Sequence, residues 1–265
     1  MLLTRVLTAA VLLAAFVSAL WFLDRAAFAL AVSACVAVGG YEWARLDRFS
    51  RPLAGAYGLG CALLVYGLAG LPQAAAWIFR AAGVFWALLV PLWLARGLHA
   101  SPAAWLAAAG VAVLVPAGIA TASLERGQVL MLLGLVWVAD TAAYLCGRAF
   151  GKHKLAPSIS PGKTWEGVAG AVMASIIYAI IWAFFDPALS ARVEGSVWAP
   201  YLACAALLCA ASVLGDLFES AAKRRAGVKD SGSLLPGHGG VLDRIDSATA
   251  MLPVALLLMR VASLT

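Results

Sequence analysis

The sequence predicts an all-α, polytopic integral membrane protein organised as a single membrane domain, residues 1–265. Three observations carry that expectation. Apolar residues fill 64% of the positions and charged residues only 12%, where soluble domains carry roughly 25% charged residues. Apolar runs of about 20 residues recur from end to end, each long enough to cross the hydrocarbon as a helix. The charges gather in the short segments between those runs. A soluble fold of this composition would expose large apolar patches. Membrane lipids are therefore the expected surroundings, and no nucleic-acid partner is expected.

Reading apolar runs between charged or turn-forming breaks gives about nine spans, with approximate limits 4–23, 26–46, 53–71, 73–96, 102–123, 127–147, 165–185, 197–219 and 242–262. The first run, with one early Arg, lacks a small-x-small cleavage site ahead of a soluble domain and reads as a transmembrane helix rather than a signal peptide. The fourth is interrupted by Arg80, and Pro91 is expected to kink it. Cys35, Cys61, Cys146, Cys204 and Cys209 all fall inside apolar runs without metal-ligand spacing and read as small core residues. His99 and His153 read as ordinary interfacial residues. Residues 1–125 carry no specific motif. The expected catalytic part is 126–265, with cytoplasmic loops 148–164 and 220–243.

Lys and Arg set the expected orientation. Alternate connections hold Arg48 and Arg51, then Arg96, then Arg148, Lys152, Lys154 and Lys163, then Lys223, Arg224, Arg225, Lys229 and Arg244. The other connections hold only Arg25, Arg126 and Arg192. The positive-inside rule puts the basic loops and the N-terminus in the cytoplasm and the C-terminus outside. For Arg48, Arg51 and Arg96, topology and attraction to anionic lipid are explanation enough.

The last two cytoplasmic segments need more, because topology calls for bases and not for acids. Asp216, Glu219, Ser220 and Lys223 follow i, i+3, i+4, i+7 spacing and share one helix face. Asp243 and Asp246 share a face at the start of the last helix. Acids at membrane depth are costly and mark sites. Two helices that each present carboxylates can hold a hard divalent cation, and Mg²⁺ takes one or two carboxylates together with water and substrate phosphates. The joining loop contains Gly227, Gly232, Gly237, Gly239 and Gly240. His238, Gly239 and Gly240 precede a helix N-terminus, where free N–H groups favour phosphate. Metal-binding acids beside phosphate-binding bases point to phosphoryl or nucleotidyl transfer.

A second cluster surrounds the loop after the sixth run. Asp140 lies inside an apolar helix about two turns from its cytoplasmic end, where an unpaired charge is costly. Ser158, Ser160, Lys163 and Thr164 are candidates for phosphate or nucleotide, and Pro157 and Pro161 keep the segment extended. Trp165 reads as an interfacial anchor. No GxxxxGK[ST] loop, strand-preceded GxGxxG or HExxH is present. A transporter would place its charges near the midplane and show internal repeats. Here no repeat is found and the charges collect at one side. A purely structural scaffold has no use for the Asp pair, and the D-x2-D-G-x2-A-R type motif of CDP-alcohol phosphotransferases is absent.

The run Ser220, Lys223-Arg224, Lys229-Asp230, Gly232, Leu235-Pro236, His238-Gly239-Gly240, Asp243-Arg244 and Asp246 resembles the signature of phosphatidate cytidylyltransferases, also called CDP-diacylglycerol synthases. The stretch SISPGKTWEG resembles a second recurring segment of that family, S-P-K-K-T-W-E-G, with Gly162 in place of its first Lys. Ala222 departs towards a smaller residue.

The resemblance implies that CTP and phosphatidic acid give CDP-diacylglycerol and pyrophosphate, in phospholipid biosynthesis, at what is expected to be a bacterial inner (plasma) membrane. It also implies Mg²⁺, with K⁺ as a second cation, and a homodimer. On this reading Asp216, Asp243, Asp246 and Asp140 form the metal set, and Lys223 and Arg244 neutralise charge at the reacting phosphates. Ser220 bonds a phosphate oxygen. Lys229, His238 and the Gly239-Gly240 amides hold the triphosphate. Lys163, Ser158 and Ser160 close the site from the other loop.

Overall fold

The computed structural model describes residues 2–98 and 101–261; His99 lies outside them. Helices occupy each expected run. They are α1 Leu2–Phe22, α2 Arg25–Leu46, α3 Arg51–Ala69, α4 Pro72–Val84, α5 Val90–Arg96, α6 Ala103–Ser123, α7 Arg126–Phe150, α8 Trp165–Phe185, the short α9 Pro187–Ser190, α10 Trp198–Ala226 and α11 Leu242–Val261. Their starts follow local chemistry. Asp24 caps α2 by accepting from Ala27 N at 2.8 Å, and Thr164 caps α8 by accepting from Gly167 N at 3.1 Å. Gly227, at φ 78°, closes α10 in the left-handed conformation.

Seven spans among the described residues are long and apolar enough to cross a membrane, against about nine expected: Arg25–Leu46, Arg51–Ala69, Pro72–Arg96, Ala103–Ser123, Arg126–Phe150, Trp165–Phe185 and Gly195–Ala226. In the first run the apolar stretch is the shorter Val6–Phe22. α11 carries Asp243, Arg244, Asp246 and Arg260. It nonetheless lies in the middle of the bundle, packed on α10, α6, α4, α7 and α2. Its stretch from Ser247 to Pro253 is buried, so its polar groups face protein rather than lipid.

Three local features depart from the sequence reading. The fourth run stays helical through Pro91, but it includes a π-helical turn at Phe85–Leu89 just before that residue, the kind of interruption at which helices bend. Residues 154–164 are not a plain loop: β1 Lys154–Ala156 and β2 Ser160–Thr164 pair antiparallel, with Lys154 opposite Thr164 and Ala156 opposite Ser160. The segment from Ser220 to Ala226 is the last two turns of α10, so the connection to α11 begins only at Gly227. Of the five cysteines, Cys61 and Cys209 are buried, whereas Cys35 is exposed.

Phe218 anchors the inner end of α10. It is fully buried among Trp43, Phe85, Trp86 and Trp93, with ring centroids 5.5–5.9 Å apart. Such tilted and edge contacts add to the burial of apolar area. The cluster ties α10 to α2 and to the π-helical turn, one residue away from Glu219. The aromatic cluster thus packs the stretch of α10 that carries Glu219.

Candidate active site

Each acid and base of the site comes from the end of a helix or from the hairpin beside it. On α10, Lys223 follows Glu219 by one turn, and its Nζ lies 3.1 Å from Glu219 Oε1 and 2.6 Å from Asp243 Oδ1 on α11. All three side chains are nearly closed off from solvent, at 10%, 3% and 6% exposure. The approach of Lys223 to Glu219 lacks hydrogen-bond geometry, and both Glu219 oxygens are buried without a hydrogen-bond donor. The second pair sits further back along the same face of α10. Lys163 on β2 reaches Asp216 Oδ2 at 2.6 Å, and Ser220 Oγ donates to Asp216 Oδ1 at 3.2 Å. The hairpin is held against α10 by Arg224, whose Nε donates to the Ile159 carbonyl at 3.2 Å.

α11 supplies Asp246, which lies within electrostatic reach of both Asp216 and Glu219. Gly215 makes this approach possible, because a Cβ there would stand 2.5 Å from the Asp246 carbonyl oxygen. Asp140 on α7 joins from the far side, accepting from Ser247 Oγ at 3.4 Å. Asp140, Lys163, Asp216, Ser220, Lys223, Asp243 and Asp246, drawn from four separate stretches of the sequence, therefore meet where α7, α10, α11 and the hairpin converge.

The remaining expected residues are placed elsewhere or used differently. Ser158 is exposed at the hairpin turn and Ser160 is half-buried. Lys229, His238, Gly239 and Arg244 line an open cleft of about 640 Å³ on the connection between α10 and α11. Arg244 is exposed and has no ion-pair partner among the described residues. The Gly240 amide, expected to face phosphate, instead donates to Asp243 Oδ2 at 2.8 Å. That oxygen also accepts from Ser231 N at 2.9 Å and Ser231 Oγ at 3.0 Å. Both oxygens of Asp243 are thus engaged by the chain itself, Oδ1 by Lys223 and Oδ2 by the loop, as both oxygens of Asp216 are by Lys163 and Ser220.

Among the described residues no group of three or more His, Cys, Asp and Glu side chains is arranged to hold a metal ion. The donor chemistry nevertheless suits a hard cation. Asp216, Asp246 and Asp140 offer carboxylate oxygens, with Glu219, beside the Lys223 ammonium, as a further buried acid. Mg²⁺ needs only one or two carboxylates when water and substrate phosphates complete its shell.

Sequence reasoning missed three residues. Glu42 and Asp47, at the C-terminal end of α2, are both buried. Asp47 Oδ1 accepts from Arg225 Nη1 at 2.9 Å, and Arg225 Nη2 also donates to the Ser101 carbonyl at 2.8 Å. Ser231 is buried between Glu42 and Asp243. An acid inside an apolar run was the available signal, but it lay in a region without any motif.

Known proteins match this chain over almost its whole length. The model of the cytidylyltransferase family matches residues 3–262. A protein of Pseudomonas aeruginosa named phosphatidate cytidylyltransferase is 40% identical, over 96% of this chain and 95% of its own length. One of Haemophilus influenzae with the same name is 38% identical, over 96% of each. One of Staphylococcus haemolyticus, also so named, is 46% identical over 47% of this chain. With acids and bases of four elements gathered at one end of an apolar helical bundle, and with relatives matched over nearly its full length, the chain belongs to the cytidylyltransferase family.

Proposed function

We propose that the protein is a phosphatidate cytidylyltransferase that transfers CMP from CTP to phosphatidate, giving CDP-diacylglycerol and pyrophosphate. The observation that carries this reading is the pairing of Lys163 with Asp216 and of Lys223 with Asp243, at the rim where apolar helices end in basic loops. One substrate is a lipid and the other a soluble triphosphate, so the reaction has to occur at such a rim. The basic rim is the cytoplasmic one, with the N-terminus inside and the C-terminus outside.

In the reaction a phosphatidate oxygen attacks the α-phosphorus of CTP. The new P–O bond forms as the bond to the bridging oxygen of the β-phosphate breaks, and pyrophosphate leaves with the electron pair. The attacking oxygen is already anionic, so the main task is to bring two anions together, by positioning and charge neutralisation. Lys223, fixed between Glu219 and Asp243, presents its ammonium at the inner end of the site. Lys163 and Ser220 turn from Asp216 to phosphate oxygens when substrate arrives. Lys229, His238 and Arg244 draw the triphosphate into the cleft beside them. Asp216 and Asp246 would hold Mg²⁺, with Asp140 beside them. When bound, the cation supplies neutralisation of the phosphate charge. Asp243 acts by orienting Lys223 and the loop. The homodimer and K⁺ rest on resemblance alone, since every group named here comes from one chain.

Double labelling tests the reading. With CTP labelled at the α-phosphate, label should enter the lipid; with CTP labelled at the γ-phosphate, it should appear only in pyrophosphate. Transfer of γ-label to lipid would make the protein a lipid kinase instead.

A further inference from the structure

α11 begins without a cap of its own. The residues before Leu242 are Gly239, Gly240 and Val241, none of which has a side-chain oxygen to accept from the first free N–H groups of the helix. The acceptor comes from some two hundred residues away. Glu42 of α2 accepts from Val241 N through Oε1 at 3.0 Å and from Leu242 N through Oε2 at 2.8 Å. Oε2 also faces Ser231 Oγ at 2.9 Å. Glu42 is 4% exposed and forms no ion pair among the described residues. Its partners are all neutral donors of the connection between α10 and α11.

We infer that Glu42 is a positioning residue for cytidylyl transfer, holding the α10–α11 connection so that Asp243 and, through it, Lys223 stay in register. The inference deepens the proposed function and rests on it for the reaction. Ser231 is the joint. Its hydroxyl lies 2.9 Å from Glu42 Oε2 and 3.0 Å from Asp243 Oδ2, and its single O–H serves one carboxylate at a time. Its amide also donates to Asp243. A chain of contacts thus runs Glu42–Ser231–Asp243–Lys223 from α2 to α10. The glycines around it leave no room for anything else. A Cβ on Gly232 would stand 2.7 Å from Glu42 Oε1, and a Cβ on Gly240 would run into Ser231 Oγ and Glu42 Oε2. A carboxylate whose only role was solubility would not be walled in by glycines and filled with backbone donors.

Glu42→Ala and Glu42→Gln, made in the full-length protein in detergent, test this by two independent readouts. The first is hydrogen exchange, which does not depend on what the protein catalyses. Faster exchange is expected at 231 and 240–242, with α6 and α8 as protected as in the parent. Loss of protection spread evenly over all helices, or no change in the loop, would overturn the inference. The second is kinetic: kcat per folded molecule should fall about 10- to 100-fold in Glu42→Ala, as for a misplaced catalytic group, and KM for CTP should change less. A double-mutant cycle with Asp243→Asn should be strongly non-additive, because both changes break one chain of contacts. Multiplicative losses, or parental kcat in both Glu42 variants, would contradict the positioning role. If the parent protein does not make CDP-diacylglycerol at all, the proposed function fails, while the exchange result still decides whether Glu42 holds the loop.

Discussion

The ammonium of Lys223 stands 2.6 Å from Asp243 Oδ1, joining the last turns of α10 to the first turn of α11 across a connection of fifteen residues, 227–241. With Glu219 on its other side, the lysine is held by two buried acids. Lys223→Ala should lower turnover by at least about 100-fold, the scale seen when one charge-stabilising group is lost. Lys223→Arg should also be severely impaired, because a planar fork cannot replace a compact ammonium between two carboxylates. CDP-diacylglycerol formation per folded molecule checks both, and near-normal turnover in Lys223→Arg would mean that only net charge matters there.

Lys163 plays a different part. Its contact with Asp216 is 2.6 Å long, with side chains 24% and 29% exposed, so the pair is accessible to a substrate that competes for either partner. Lys163→Met should raise KM for CTP about tenfold, the equivalent of roughly 1.4 kcal/mol, with a smaller effect on kcat. Steady-state kinetics at varied CTP and saturating phosphatidate measure the split. A fall in kcat alone would place Lys163 at the chemical step instead.

Arg225 is expected to matter for stability and not for chemistry. It points away from the Lys223 side of α10, bonding Asp47 at 2.9 Å and the Ser101 carbonyl at 2.8 Å. Asp47 is 6% exposed, and its Oδ2 already lacks a partner. Arg225→Ala would leave a buried carboxylate uncompensated, at a cost of about 3–5 kcal/mol. The thermal unfolding midpoint in detergent should drop, and kcat per folded molecule should stay within about twofold of the parent, as for a site outside the reacting groups.

What the sequence made legible was local. The i, i+3, i+4, i+7 spacing from Asp216 to Lys223 placed four polar groups on one helix face, and the structure puts them there. Composition alone identified the membrane class. Contacts that depend on distant parts of the chain could not be read this way. The glycines before α11 suggested free amides for phosphate. In the fold Gly240 donates to Asp243 while Val241 and Leu242 donate to Glu42. Glu42 drew no notice because the first half of the chain has no motif around it. The hairpin at 154–164 was hidden for a similar reason: Pro157 and Pro161 marked extended backbone but not its pairing. α11 read as a span by its apolar residues, although its charges take it below the usual composition. Its central position in the bundle explains how a helix with such charges is accommodated.

In the proposed mechanism the acids divide their roles: Asp216 and Asp246 would hold the cation, and Asp243 would orient Lys223 and the loop. Binding of Mn²⁺ in place of Mg²⁺, followed by electron paramagnetic resonance with a non-hydrolysable CTP analogue, tests that division most directly. The account predicts that Asp216→Asn and Asp246→Asn each weaken Mn²⁺ binding at least about tenfold, as expected for loss of one of two carboxylates, while Asp243→Asn binds it like the parent and still turns over poorly. Parental Mn²⁺ affinity in Asp246→Asn, or its loss in Asp243→Asn alone, would contradict the account.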